Sequence, residues 1–308
     1  MQDSSKYQVT QIAGRGVGVL ATKDIVKGET LWEDKVILNA RVTSNTDNFH
    51  NISLLNRQVE QLSPSERQHF LSLHDPDPGG PDQLKNARIY ANNTYFDGCY
   101  LLSSRINHSC KPNVMLSSDD TIHTEVVALR NILAGEEILV SYLRTSELET
   151  KKERTEKIKN WEFHCDCELC NLKGEESLKN DRNRLEVRNN LKIIDSFFDD
   201  LWKNPSTLPD VVKPKLKQLY ELAETTLSTL QLDLAGQSDA AVVATYLKMA
   251  ELVAFSQTSQ FVTTLPGKHS ARELVNLARE QAALMGRMFL SNCDTMEREL
   301  RELEEEFC

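Results

Sequence analysis

No run of about 18 consecutive apolar residues occurs anywhere in the 308 residues, so nothing in the chain reads as a membrane-spanning helix. The first twenty residues also lack a basic start followed by a long hydrophobic run, the mark of a secretory leader. A soluble, intracellular protein is the expectation. Cationic side chains are in deficit, with 36 Lys and Arg against 46 Asp and Glu and a net charge of -10. Gripping nucleic-acid phosphates depends on clustered Lys and Arg, so that class of partner is set aside. An acidic surface suits a basic protein partner better, because its summed field steers lysine-rich segments toward it. No basic run of five or more is present, which leaves nucleus and cytoplasm both open. Seven cysteines are an odd number, and without a leader they do not read as a disulfide framework. Metal binding becomes the question to ask of them.

What is present is enough apolar content to bury a core, in one large domain or two ordinary ones. The first forty residues alternate apolar and polar positions around a glycine-broken run, Gly14-Arg15-Gly16-Val17-Gly18, which predicts short strands joined by turns. Thr30 to Leu38 reads as another strand, followed by a polar stretch rich in Asn, Ser and Asp. From there to Leu84 the pattern is helical. Ser63-Pro64-Ser65-Glu66 combines a cap residue, a proline and an acid in the order of a helix start, and Asp75 to Pro81 has to be a loop. Strands are expected again at Val126–Leu129 and Ile138–Val140, with the turn at Leu133 to Glu136. After about residue 180, apolar residues recur at helical spacing in four groups: Leu191 to Leu201, Leu216 to Leu230, Ala244 to Leu252, and Leu274 to Met285. Four amphipathic helices are predicted, with breaks near Pro205, Pro209, Gly236 and Pro266-Gly267. Met296 to Phe307 is heavily acidic.

The strongest local signal is Cys165-Asp166-Cys167-Glu168-Leu169-Cys170, three thiols within six residues. Zinc takes four ligands in a tetrahedron, and three sulfurs this close can fill three corners. The fourth has to come from elsewhere in the fold, and Cys110 is the candidate. Free cysteines also serve as small buried hydrophobes, although Asp166 and Glu168 between them do not look like core positions. A site closed by four cysteines would be structural, because no open position remains.

Three further blocks, in order, lead up to that cluster. Arg15-Gly16-Val17-Gly18 stands ahead of the first strands, and Arg105-Ile106-Asn107-His108-Ser109-Cys110 with Lys111-Pro112-Asn113 lies mid-chain. Gly135-Glu136-Glu137-Ile138-Leu139-Val140-Ser141-Tyr142 follows, and Trp161-Glu162-Phe163-His164 runs into the cysteines. Over roughly residues 8 to 172 this arrangement resembles the SET-domain protein-lysine methyltransferases, nearest to the SMYD-like branch and related fungal SET-domain proteins. The resemblance implies an α+β fold, with small β-sheets around a pseudoknot where the segment of Asn107 and His108 is threaded near that of Tyr142. It implies a SET domain over residues 1–148 with a helical insert at about 41–90, and a post-SET zinc-binding segment over 149–175. An all-α C-terminal domain over 176–308 completes the expected organisation. One departure stands out: SMYD proteins carry a zinc-binding MYND module inside the SET domain, and residues 40 to 95 hold no cysteine at all.

The resemblance also implies S-adenosylmethionine as methyl donor, structural Zn2+ on Cys110, Cys165, Cys167 and Cys170, and a set of contacts. Arg15, Gly16, Val17 and Gly18 would lie beside the methionine moiety, and Asn107 and His108 near the adenine and the sulfonium. Asn93 looks like the Asn of the family's short N-S-F motif, with Asn92 as the other alignment. Phe163 would cover the adenine, since stacking on a base is worth about 1–3 kcal/mol. Trp161 and Tyr95 would line the lysine channel, where an aromatic wall attracts a cationic head. Tyr142 would be the catalytic residue and touch the cofactor. Without the resemblance these groups have ordinary readings: a G-x-G turn, Asn-His turn chemistry, a ring packing the cysteine loop, a half-buried strand tyrosine.

Methyl transfer from a sulfonium to an amine is an in-line displacement in which orientation is the main protein contribution. A tyrosine near its ordinary value of about 10 is a poor base at neutral pH, so Tyr142 is expected to orient the amine. The expected substrate is a lysine-bearing protein, with histones the default and ribosomal proteins or translation factors fitting the same residues. A monomer is expected, without nucleic acid or membrane as partner. The other readings are a catalytically inactive SET-fold scaffold, a cofactor-regulated protein-binding module, and a helical interaction protein stabilised by zinc.

Overall fold

The computed structural model describes residues 6–39, 49–95, 98–117, 123–143, 148–203, 209–235, 237, 239–257, 263–267, 269–283, 292–298 and 301. The chain divides into two compact units, residues 1–142 with 156–165, and residues 143–155 with 166–308.

The first unit carries two small sheets. β1 (Tyr7–Ile12) and β2 (Gly16–Ala21) form a hairpin in register from Tyr7 opposite Ala21 to Ile12 opposite Gly16. Its turn closes with Arg15 N donating to Ile12 O at 3.0 Å, and Gly14 and Gly16 both take a φ of +74°, a conformation that suits glycine. The sequence pattern puts the Arg15–Gly18 run ahead of a strand. In the structure pairing starts directly after the turn, so Gly16, Val17 and Gly18 are themselves the first half of β2.

β3 (Thr30–Leu38), β4 (Thr94–Tyr95), β5 (Gly98–Tyr100), β6 (Asn107–His108), β7 (Val114–Ser117), β8 (His123–Ala128) and β9 (Glu137–Val140) follow in chain order. The four-stranded sheet runs β1-β2-β9-β6 and the five-stranded sheet β4-β5-β3-β8-β7. All described pairings are antiparallel except one: β6 lies parallel to β9, with Asn107 beside Leu139 and His108 beside Val140. The core of this unit includes Val19, Trp32, Val126, Ile138 and Val140 from its strands and Ile106 from just before β6, with Ile138 and Val140 at alternate positions of β9 as expected of a half-buried strand.

The described part of the insert is helical: α1 (Phe49–Gln61), α2 (Pro64–Leu71) and α3 (Lys85–Asn92). Residues 40–48 lie outside the described residues. The helix start expected at Ser63 is a capping box, in which Ser63 Oγ accepts from Glu66 N at 3.3 Å and Glu66 Oε2 accepts from Ser63 N at 3.0 Å. Leu55, Val59, Phe70, Ile89 and Tyr90 gather with Leu38 of β3 in a second apolar cluster. The expected loop between α2 and α3 is held by an ion pair of Arg88 with Asp75 at 2.9 Å.

The second unit is helical. After α4 (Lys151–Ile158) and α5 (Glu168–Asn171) come α6 (Gly174–Lys203), α7 (Pro209–Leu232), α8 (Asp239–Ser256) and α9 (Ala271–Ala282). These last four are the helices anticipated from the periodicity, and Ile194, Leu216, Leu219, Ala223, Leu252 and Leu274 among the periodic residues are buried. Pro209 opens α7, where a missing N–H costs nothing. Pro205, Gly236, Met285 and most of the acidic segment after residue 298 lie outside the described residues. Among the described residues no helix is long and apolar enough to cross a membrane.

The short β6–β9 pairing is reinforced by Asn113, which is 1 % exposed. Its Oδ1 accepts from Leu139 N at 2.7 Å and its Nδ2 donates to Glu137 O at 2.8 Å. Its N–H donates to Leu139 O at 3.0 Å and its carbonyl accepts from Leu129 N at 2.9 Å. Replacing Asn113 by Ala leaves two part-buried backbone groups without their side-chain partner, so the variant is expected to lose about 1–3 kcal/mol of stability in denaturant melts. A loss within about 0.5 kcal/mol would show that the amide is dispensable there.

Candidate active site

The site is built where β6, β9 and the β1–β2 turn meet. Asn107 Nδ2 donates to Glu137 Oε1 at 2.8 Å and lies 3.3 Å from Val17 O. Arg15 forms an ion pair with Glu137, Nε to Oε2 at 3.3 Å, and its Nη2 donates to His108 O at 2.5 Å. Glu137 therefore holds Arg15 with one oxygen and Asn107 with the other. The group works only because residue 18 is glycine. A Cβ there would stand 2.7 Å from Asn107 Nδ2 and 2.8 Å from Glu137 Oε1. Gly16, by contrast, faces open space.

His108 is buried and bridges two parts of the site. Its Nδ1 accepts from Tyr142 N at 2.9 Å, and its Nε2 lies 3.3 Å from Cys110 Sγ. An accepting Nδ1 in a neutral ring puts the proton on Nε2, where it points at the Cys110 sulfur. A cysteine that binds metal as thiolate gains a donor in this way.

Tyr142 sits two residues beyond β9, and its hydroxyl donates to Ile106 O at 2.9 Å. The Tyr95 hydroxyl reaches the same carbonyl at 3.4 Å. Burial pushes the Tyr142 hydroxyl up to about 12, offset in part by hydrogen bonding to Tyr95 and by the charge of Arg15. Burial also holds Tyr95 well above its ordinary value. Around Tyr142 stand Tyr95, His108, Trp161 and Phe163, with ring centroids 6.2, 5.1, 5.4 and 6.3 Å away. Phe163 follows a left-handed Glu162 at φ 58° and leaves 37 % of its surface open, beside His108 at 6.0 Å. A large ring left this open beside buried polar groups is a surface suited to stacking.

Thus Arg15, Gly16, Val17, Gly18, Asn107, His108, Tyr142, Phe163, Trp161 and Tyr95 are brought together in one unit. Asn93 is placed differently: it caps α3, and its Nδ2 donates to His74 O at 2.8 Å and Ile89 O at 2.7 Å. Two participants were not singled out by sequence reasoning. Glu137 lay inside a motif already noted, and its pairing with an Arg and an Asn was the missing clue. Ile106 acts through its carbonyl, which leaves no side-chain signal.

The sulfurs of Cys110, Cys165, Cys167 and Cys170 lie within 4.8 Å of one another. Four thiolates at about 2.3 Å from a tetrahedral zinc are about 3.8 Å apart, and Cys110 Sγ and Cys165 Sγ are separated by 3.9 Å. The donor set and spacing fit zinc.

Residues 16–143 match the family model for the SET domain. The chain carries a SET domain. Histone-lysine N-methyltransferase set5 of Schizosaccharomyces pombe is 29% identical over 54% of this chain and 50% of its own length. Histone-lysine N-methyltransferase SET5 of Meyerozyma guilliermondii is 33% identical over 35% of this chain and 22% of its own. Protein-lysine N-trimethyltransferase SMYD5 of Gallus gallus is 41% identical over 24% of this chain and 18% of its own. The chain thus matches half or less of the length of these relatives, and the matches agree with the SMYD-like and fungal branch of SET-domain proteins.

The buried tyrosines of the SET domain make alkaline stability a readout. A raised folded value means that the stability from the protonated hydroxyl is complete below about pH 10 and is lost as pH rises toward about 12. Across that window the melting temperature is expected to fall less steeply for Tyr142→Phe than for the native chain. Equal slopes would mean that the hydroxyl ionises as it does in the unfolded chain.

Proposed function

We propose that this chain is an S-adenosylmethionine-dependent protein-lysine N-methyltransferase. The observation that carries the reading is the convergence of the Tyr142 and Tyr95 hydroxyls on the Ile106 carbonyl, inside a ring of aromatic side chains and beside the Arg15–Glu137–Asn107 group. The names of the relatives, histone-lysine and protein-lysine methyltransferases, support the same reaction class.

S-adenosylmethionine supplies an electrophilic methyl group on a sulfonium when bound. Gly16, with open space beside it, and Arg15, Val17 and Gly18 would hold its amino-acid portion, Asn107 and His108 would hold its polar edges, and Phe163 would stack on the adenine. Asn93, whose amide donates to the carbonyls of His74 and Ile89, is a further proposed cofactor contact. Zinc on Cys110, Cys165, Cys167 and Cys170 would fix the loop that presents Trp161 and Phe163.

The hydroxyl of Tyr142 stays protonated at neutral pH because burial holds it near 12, which excludes a tyrosinate base. Its proton is given to Ile106 O, so its oxygen can still accept a contact from an incoming amine. Trp161 and Tyr95 wall the approach and attract the cationic head of a lysine. Desolvation among these rings lowers the amine's own value, so its proton can leave to water without a dedicated base. The catalytic role of Tyr142 is thus orientation, with Tyr95 setting the space beside it.

The substrate is a lysine-bearing protein, and the histone relatives make histones and action in the nucleus the leading choice. The acidic balance of the chain suits such a basic partner. The chain is proposed to act as a monomer, with a SET domain over residues 1–148, a zinc-binding segment over 149–175 and a helical domain over 176–308. Methyl-labelled S-adenosylmethionine with core histones and a fractionated lysate is expected to give label on a discrete band. Tyr142→Phe should lower that labelling about a hundredfold while binding of S-adenosylhomocysteine persists. Bound cofactor product without label on any protein would instead support a catalytically inactive scaffold or a cofactor-regulated binding module.

A further inference from the structure

The carbonyl of Ile106 is the point on which both tyrosine hydroxyls converge, and the residue before it is Arg105. The Arg105 guanidinium reaches back across 33 residues to the end of insert helix α2. Its Nη1 donates to Ser72 O at 2.9 Å, and its Nη2 donates to Ser72 Oγ at 2.5 Å and to His69 O at 3.2 Å. These acceptors lie at a helix C-terminus, where His69 O also accepts from Ser72 N and Ser72 Oγ, and a cation placed there complements the helix dipole. The fork geometry of a guanidinium lets it bind several acceptors at once, which an ammonium cannot copy.

The rest of this short segment is fastened too. Asp34 Oδ2, buried, accepts from Leu102 N at 2.8 Å and Ser103 N at 2.7 Å. Ser104 Oγ donates to Asn93 O at 2.7 Å, at the end of α3. Residues 102–105, which lead directly into Ile106 and β6, are therefore held from β3 and from the ends of two insert helices.

We infer that Arg105 is a positioning residue through which the helical insert sets the direction of the Ile106 carbonyl, and with it the Tyr142 and Tyr95 hydroxyls. The insert is then a lever on the chemistry as well as a packing element. The effect on turnover rests on the methyltransferase reading; the effect on the carbonyl does not.

Ser72→Ala is the decisive variant, because it removes one Arg105 partner from a position remote in sequence from the carbonyl. Arg105→Lys keeps the charge and loses the fork. Ile106-Asn107 is the sole Ile–Asn pair in the chain, so carbonyl-13C isoleucine with 15N asparagine isolates a single peptide group in the NMR spectrum. Both variants are expected to move the Ile106 carbonyl resonance and the alkaline titration of ring-labelled Tyr142. Methyl transfer by Ser72→Ala is expected to fall about tenfold in kcat with the KM for cofactor unchanged. A folded Ser72→Ala whose Ile106 resonance and Tyr142 titration match the native chain overturns the inference. If the native chain methylates nothing while the resonance still moves, the methyltransferase reading fails and the positioning role stands. If Arg105→Lys does not fold, Ser72→Ala alone decides.

Discussion

Two residues of parallel strand hold the candidate site of this molecule in place. Asn107 and His108 lie beside Leu139 and Val140, and nearly every group in the site takes its position from that pairing. A two-residue ladder is weak alone, so the surroundings supply the rest. Ser109 N donates to Val140 O at 2.8 Å, and Asn113 makes three hydrogen bonds to β9 and a fourth to Leu129 N. Ile106, Ile138 and Val140 bury their side chains on one side of it, at about 1.5–3 kcal/mol each. The crossing puts the β6 segment and the residues after β9 within hydrogen-bond reach, which is how His108 comes to accept from Tyr142 N.

Electrostatics then assigns the parts. Glu137 is paired on one oxygen with Arg15 and on the other with Asn107, so its charge is balanced next to the proposed cofactor site. The tyrosine hydroxyls are left neutral by burial, and a neutral hydroxyl that donates to a backbone carbonyl can orient an amine without competing for its proton. His108 passes between the two regions, with one nitrogen on the Tyr142 backbone and the other on Cys110. The proposed zinc centre and the proposed catalytic tyrosine thus share one imidazole.

Local pattern carried much of the fold. The capping box at Ser63, the strands around Val126 and Ile138, the turn at Gly135 and the four C-terminal helices all follow from cap chemistry or periodicity. The β6–β9 crossing does not, because a two-residue strand has no period to read; it was expected only from the family resemblance. Within the site, side chains with chemical character stood out, and Arg15, Asn107, His108, Tyr142 and Phe163 do gather. Ile106 was invisible because its contribution is a carbonyl. Glu137 and Arg105 were visible letters whose partners lie 122 and 33 residues away, and no local rule connects them. Asn93 likewise ties distant parts together, its amide donating to Ile89 O within α3 and to His74 O, 19 residues away.

The central claim is that the β6–β9 crossing organises a cofactor site against the β1–β2 turn. A crystal structure of the protein grown with S-adenosylhomocysteine tests it most directly. The product is expected against Arg15 to Gly18 and Asn107–His108, beneath the Phe163 ring, with its sulfur facing the Tyr142 hydroxyl. A bound product elsewhere on the chain, or a crossing left empty at saturating concentration, would contradict it.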